Sequence, residues 1–87
     1  MADARRTLTV LDRDGLHARP CTRIARAAQK FKASVTATCD GRVADAKSVF
    51  QLLGLLAPGG AAIEFEATGV DAAACMDAVE TALVRSD

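Results

Sequence analysis

The sequence predicts an α+β fold: a four-stranded antiparallel sheet with one face covered by three helices. Two observations carry this. Four short stretches alternate apolar and polar side chains, so each strand buries one face and leaves the other to water. Three other stretches repeat apolar residues at helical spacing, and the order is strand, helix, strand, strand, helix, strand, helix. Two such units with a hairpin between them make a split βαβ arrangement.

The first strand runs from Arg6 to Leu11, with Leu8 and Val10 on one face and Thr7 and Thr9 on the other. Asp12 to Leu16 is a turn-rich connection. From Ala18 to Lys32, Ile24, Ala25, Ala28 and Phe31 share one helical face, while Arg19, Arg23, Arg26 and Lys30 form a basic stripe on another. Ser34 to Asp40 alternates, with Val35, Ala37 and Cys39 on one side. Asp40-Gly41 reads as a tight hairpin turn, and Arg42 to Ala44 as the short returning strand. Lys47 to Leu56 is a second, shorter helix capped near Ser48, with Val49, Leu52, Leu53 and Leu56 at helical spacing. Pro58-Gly59-Gly60 stops it. Ala62 to Thr68 sets Ile63, Phe65 and Ala67 against Glu64 and Glu66. The third helix runs from Asp71 to about Val84, with Ala74, Cys75, Ala78, Val79 and Ala82 available to pack.

Eighty-seven residues, with no linker or low-complexity tract, are read as one domain over 1–87. A chain of this size buries roughly 65% of its unfolded surface, enough for a modest core but not for a large enclosed active site. There is no Trp or Tyr, and only Phe31, Phe50 and Phe65 supply rings. The core is therefore expected to be aliphatic, and base stacking on aromatic side chains has almost nothing to work with. Net charge is zero, yet Arg13 to Lys32 holds six basic residues against one acidic, and Ala62 to Asp87 six acidic against one basic. The basic N-terminal half would attract and orient an acidic partner. Cys21, Cys39 and Cys75 are odd in number and widely spaced, which argues against a disulfide framework and for a reducing compartment. The start, MADARRTLTV, has no long apolar core of a secretory signal. The longest uncharged run, Ser48 to Ile63, is too short and too broken to span a bilayer. The expected location is the cytoplasm.

His17 is the one histidine in the chain. If the first helix begins at Ala18, Pro20 falls in its first turn, where a missing N–H has no intrahelical partner to lose. His17 is then the N-cap. The free amides of Ala18, Arg19 and the following turn lie beside its ring, with the positive end of the helix dipole behind them. That is an anion site, and phosphate is its commonest guest. Arg19 can fork two further hydrogen bonds to the same anion, and Gly15 lets the backbone approach closely. A neutral imidazole there is a nucleophile, and the amides and Arg19 would stabilise a phosphoryl group as it transfers. Other readings fit the position alone. A lone histidine near a helix start is most often a cap or a surface residue. His17 and Cys21, four apart, could both ligate a metal, although Cys39 and Cys75 fall on core faces. The basic stripe is commonly a solvated face, or it could contact nucleic-acid phosphates. Spacing leaves these open.

The string GLHARP (Gly15–Pro20), after a first strand and opening a helix, resembles the active-centre signature of HPr, the histidine-containing phosphocarrier family of the bacterial phosphotransferase system. DAKSVFQLLGLLAPGGAAIEFEATG (Asp45–Gly69) is similar to that family's second block, where a Lys-Ser pair opens a short apolar helix and a glycine-containing turn leads to the last strand. The resemblance covers Arg5 to Val84 and implies the family's βαββαβα open-faced β-sandwich. It implies that His17 accepts the phosphoryl group at ring Nδ1 and that Arg19 stabilises the phosphohistidine. The donor would be enzyme I, charged by phosphoenolpyruvate, and the acceptors enzyme IIA-type proteins. Partners would dock on an apolar patch framed by positive charge, at Cys21, Arg23, Phe50, Gln51 and Leu53. Ser48 matches the serine that a dedicated HPr kinase/phosphorylase modifies in many members. A phosphate there would put negative charge on the docking face and repel acidic partners. The alternative for Ser48 is a plain helix cap.

Three departures from the family pattern matter. Cys21 stands where Ala is most frequent, close enough to the site to suggest an oxidisable or alkylatable thiol. Gln51 stands where many sugar-pathway members have Gly. The strand ending Glu66-Ala67-Thr68-Gly69 is similar to the nitrogen-branch relatives. The sequence thus predicts a phosphoryl carrier with no cofactor, metal or turnover of its own, acting as a monomer without nucleic acid or membrane. The runner-up is a regulatory binder of the same fold, governed by its phosphorylation state.

Overall fold

The computed structural model describes residues 2–84. Its elements are β1 (Ala4–Thr9), α1 (Ala18–Gln29), β2 (Ser34–Cys39), β3 (Arg42–Asp45), α2 (Val49–Leu53), β4 (Ala62–Thr68) and α3 (Ala72–Val84). The sheet order is β1-β4-β2-β3, every neighbouring pair antiparallel. β4 therefore inserts between β1 and β2, which makes the split βαβ. Val35, Ala37, Cys39, Ile63, Phe65 and Ala67 form the buried face of the sheet, and α1 and α3 pack against each other over that core. The fold is the α+β open-faced sandwich.

β1 begins two residues earlier than its alternation suggests. Ala4 and Arg5 extend the ladder by pairing with Ala67 and Glu66 of β4, and the charge of Arg6 is met from α3. Its guanidinium crosses to α3, where Nη1 donates to Glu80 Oε1 at 2.7 Å and Nη2 to Asp77 Oδ1 at 2.6 Å. Beyond Thr9 the ladder gives way to Val10, whose N–H donates to Ala61 O at 2.9 Å and whose carbonyl accepts from Gly60 N–H at 2.8 Å. α1 ends at Gln29 rather than Lys32, with Lys30 as its C-cap. The Lys47 ammonium donates to the Phe31 carbonyl at 2.8 Å, so the chain has already turned out of the helix. The Asp40-Gly41 hairpin is as expected: φ is 51° and 81° at the two residues, and Cys39 pairs with Arg42.

α2 is only five residues long. Gly54 caps it, and Leu56 adopts φ 54°, which turns its side chain out to 68% exposure while Leu55 takes the inward place at 2%. Leu56 is therefore not on the packed face its spacing predicts. On α3, Cys75, Met76, Val79, Ala82 and Leu83 are buried, Ala78 is half-buried, and Ala74 faces out. Asp71 starts this helix with its carbonyl, which accepts from Cys75 N–H at 2.9 Å. Its carboxylate turns the other way and accepts from Lys32 N–H and Ala33 N–H at 2.9 and 2.8 Å, tying the α1–β2 connection to α3.

Among the described residues the buried side chains are all apolar, and ten of them are alanines, which lets helices and sheet approach closely. Phe65 is the largest side chain in that core. Burying such a side chain contributes about 1.5–3 kcal/mol relative to leaving it in water.

Candidate functional site

Backbone bonds shape the loop before α1. Gly15 N–H donates to Asp12 O at 2.9 Å, His17 N–H to Gly15 O at 3.0 Å and Leu16 N–H to Ala57 O at 2.8 Å. Gly15 has φ +79°, and a Cβ there would lie 2.5 Å from Ala57 O. Only glycine fits, because the loop is pressed against the Ala57-Pro58-Gly59 turn. Leu16, 5% exposed, anchors the next residue in the core. His17 is thus held where a side chain can face solvent.

His17 is the N-cap of α1, with extended backbone (φ −83°, ψ −172°) and its carbonyl accepting from Cys21 N–H at 3.2 Å. The ring is half-exposed and makes two bonds. Nδ1 accepts from Arg19 N–H at 3.4 Å, and Nε2 lies 2.9 Å from Asp12 Oδ2. A carboxylate only accepts, so Nε2 carries the proton and Nδ1 the lone pair. That lone pair faces the Arg19 amide in the first turn of α1, which contains no acidic residue. Arg19 is exposed beside it and Pro20 is buried beneath. Asp12 also accepts from Asp14 N–H through Oδ1 at 2.9 Å. That bond, and after it the bond to His17, holds the Asp12 carboxyl below the usual carboxylate range.

The arrangement can present a nucleophilic nitrogen to an incoming phosphoryl group and receive its oxygens on backbone amides and a guanidinium. Oxygen and nitrogen atoms of Asp12, Asp14 and His17 lie within 4.8 Å of one another, but both Asp12 oxygens are engaged, one by His17 and one by Asp14 N–H. Cys21 corrects the sequence reading. It is fully buried, and its Sγ–H donates inward to Leu16 O at 3.4 Å. It therefore presents nothing to a partner or a metal, and burial pushes its thiol up to about 11.

The other expected docking residues are set out along α1 and α2, which pack together. Arg23 is half-buried and its Nε donates to Ala82 O at 3.2 Å, so part of its donor capacity serves the α1–α3 contact. Phe50 is 86% exposed. Gln51 is exposed and its Oε1 accepts from Asp45 N–H at 2.9 Å; Leu53 is half-buried against the core. Ser48 caps α2, its Oγ accepting from Gln51 N–H at 3.2 Å. The role of one residue escaped sequence reading. Asp12 could have been noticed from the Asp-x-Asp-Gly turn pattern five residues before the histidine. Leu11, at the end of the expected first strand, and Leu56, expected on the packed face of the second helix, are 65% and 68% exposed. A groove of about 700 Å³ between α1 and α3, lined by Arg23, Arg26, Lys30, Phe31 and Asp77 among others, does not include His17.

Comparison with known proteins agrees with this geometry. Residues 4–85 match the family model for the PTS HPr component phosphorylation site. The chain is 36% identical over 80 residues to the phosphocarrier protein HPr of Haloferax volcanii, covering 90% of each chain. It is 33% identical over 75 residues to that of Treponema pallidum, covering 86% of this chain and 85% of the other. It is also similar to the crystal structure of a phosphocarrier protein HPr from Bacillus anthracis, with a TM-score of 0.84 at 26% identity, over 92% of this chain and 95% of that one. A histidine capping a helix in the sequence Gly15–Pro20, on a fold that this family shares along nearly its whole length, places the chain in the HPr family of phosphotransferase-system phosphocarriers.

Proposed function

We propose that His17 accepts a phosphoryl group on Nδ1 from phosphorylated enzyme I and passes it to enzyme IIA-type proteins, in a phosphoenolpyruvate-dependent phosphotransferase system in the cytoplasm. The observation that carries this reading is the orientation of the ring: Nδ1, bearing the lone pair, faces the Arg19 amide at the start of α1. The 3.4 Å contact from Arg19 N–H is long for a hydrogen bond, so little is lost when that amide turns to a phosphoryl oxygen instead. Arg19 adds a charged donor. The protein is a carrier whose partners complete the catalytic surroundings, and it works as a monomer. Among the described residues no helix is long and apolar enough to cross a membrane.

Phe50, Gln51 and Leu53 on α2 and Arg23 on α1 form the docking patch; Cys21, being buried, is left out. Phosphorylation of Ser48 regulates docking. It converts the hydroxyl cap of a five-residue helix into a dianion next to exposed Phe50, and an acidic partner is repelled.

The test is the intact mass of the protein after incubation with phosphoenolpyruvate and a catalytic amount of enzyme I, with His17→Ala beside it. One acid-labile phosphoryl group on the native chain and none on the variant is the expected result. No gain on the folded native chain overturns the carrier function.

A further inference from the structure

We infer that Asp12 is a positioning residue for the phosphoryl transfer proposed above, a reading on which this inference rests. Its carboxylate holds the Nε2 proton of His17, keeps the lone pair on Nδ1, and faces the positive charge that the ring gains as Nδ1 bonds to phosphorus.

The geometry is specific. Oδ2 lies 2.9 Å from Nε2, while Oδ1 accepts from Asp14 N–H at 2.9 Å and the Asp12 carbonyl accepts from Gly15 N–H at 2.9 Å. The carboxylate is therefore oriented by its own turn before the imidazole meets it. A solvated imidazole exchanges its proton between two nitrogens, and only the form with a bare Nδ1 can attack from that atom. Asp12 selects that form. In the transfer, the Nδ1 lone pair forms the N–P bond. The bond from phosphorus to the nitrogen of a phosphohistidine donor protein breaks, and that nitrogen keeps the electron pair. No proton moves, because the Nε2 proton stays against Asp12. The ring becomes cationic opposite a fixed carboxylate, and the charge is released when the phosphoryl group leaves for its acceptor.

The experiment uses the full chain with ¹⁵N-labelled histidine. Nitrogen chemical shifts of His17 are read in the native protein and in Asp12→Ala, and the rate of phosphoryl uptake from phosphorylated enzyme I is measured on both. The native ring is expected to show a protonated Nε2 and a pyridine-type Nδ1. In Asp12→Ala the shifts move towards a tautomer mixture and uptake slows about five- to tenfold. A role confined to holding the loop would leave the nitrogen shifts in place. Asp12→Asn, equal in size but uncharged, is expected to slow uptake as well. Native nitrogen shifts in Asp12→Ala, or a native uptake rate in either variant, overturns the inference. Absence of uptake by the native protein is a separate result: it removes the carrier function itself.

Discussion

His17 uses each ring nitrogen for a different purpose. Nε2 is occupied by Asp12 at 2.9 Å and Nδ1 is kept nearly bare by a 3.4 Å contact to the Arg19 amide. Four residues along, Cys21 is fully buried, with its Sγ–H donating to Leu16 O, and answers to the core. Because burial raises its thiol to about 11, the folded protein favours the protonated form. That preference stabilises the fold fully below the ordinary thiol value and is lost as pH rises through about 11. Urea midpoints should therefore fall between about pH 9 and 11, and Cys21→Ser should flatten that dependence. At pH 8, Cys21 should react with a thiol reagent only as fast as the chain opens, so added urea should accelerate labelling. Rapid labelling of the native protein, resolved from Cys39 and Cys75 by peptide mapping, would show that this cysteine is not enclosed.

At the scale of elements, the site is a contact between two turns. Gly15 in the loop before α1 meets Ala57 and Pro58 in the turn after α2. Gly15→Ala puts a Cβ at 2.5 Å from a carbonyl oxygen on a backbone with positive φ. It should destabilise the protein by more than ~1 kcal/mol, and it should slow phosphorylation of the fraction that remains folded, since His17 is two residues on. Chemical denaturation and uptake rate measure the two effects. α2 depends on its cap more than a long helix would, because five residues cannot sustain a helix by propensity alone. Ser48→Ala should cost about 0.5–2 kcal/mol in denaturant unfolding while leaving uptake at His17 close to native. A large loss of uptake with unchanged stability would instead make Ser48 part of the transfer site.

Across the whole molecule, the sheet sets where the loop and turns stand, and its buried face converges on Phe65. Phe65→Ala should cost about 3–5 kcal/mol. Domains of this kind have only about 5–15 kcal/mol in hand, so the variant should lose much of its denaturant resistance, read as a lowered urea midpoint. The Arg6 bridge to Asp77 and Glu80 adds a second whole-molecule device, fastening the edge strand β1 to the last helix. The basic stretch from Arg13 to Lys32 remains largely on the surface, where Arg19, Arg26 and Lys30 are exposed. Arg26 and Lys30 line the groove between α1 and α3, and Arg19 stands beside His17.

Legible in the chain alone are the order of elements, the hairpin at Asp40-Gly41, the inward faces of β2 and β4, and His17 as the cap of the first helix. All of these follow from periodicity and turn chemistry within a few residues of one another. Tertiary structure alone decided the rest. β1 starts earlier because Ala4 and Arg5 find partners in Ala67 and Glu66, more than sixty residues away on β4. Leu55 rather than Leu56 is buried because the chain reverses after Gly54. Cys21 leaves the surface because the helix turns that side towards Leu16. Asp12 reaches the imidazole because the Asp12–Gly15 turn, pressed on Ala57, folds its carboxylate back over five residues. Hydrophobic period records which side of an element is apolar; it does not record which distant group will satisfy a charge or fill the space beside a glycine.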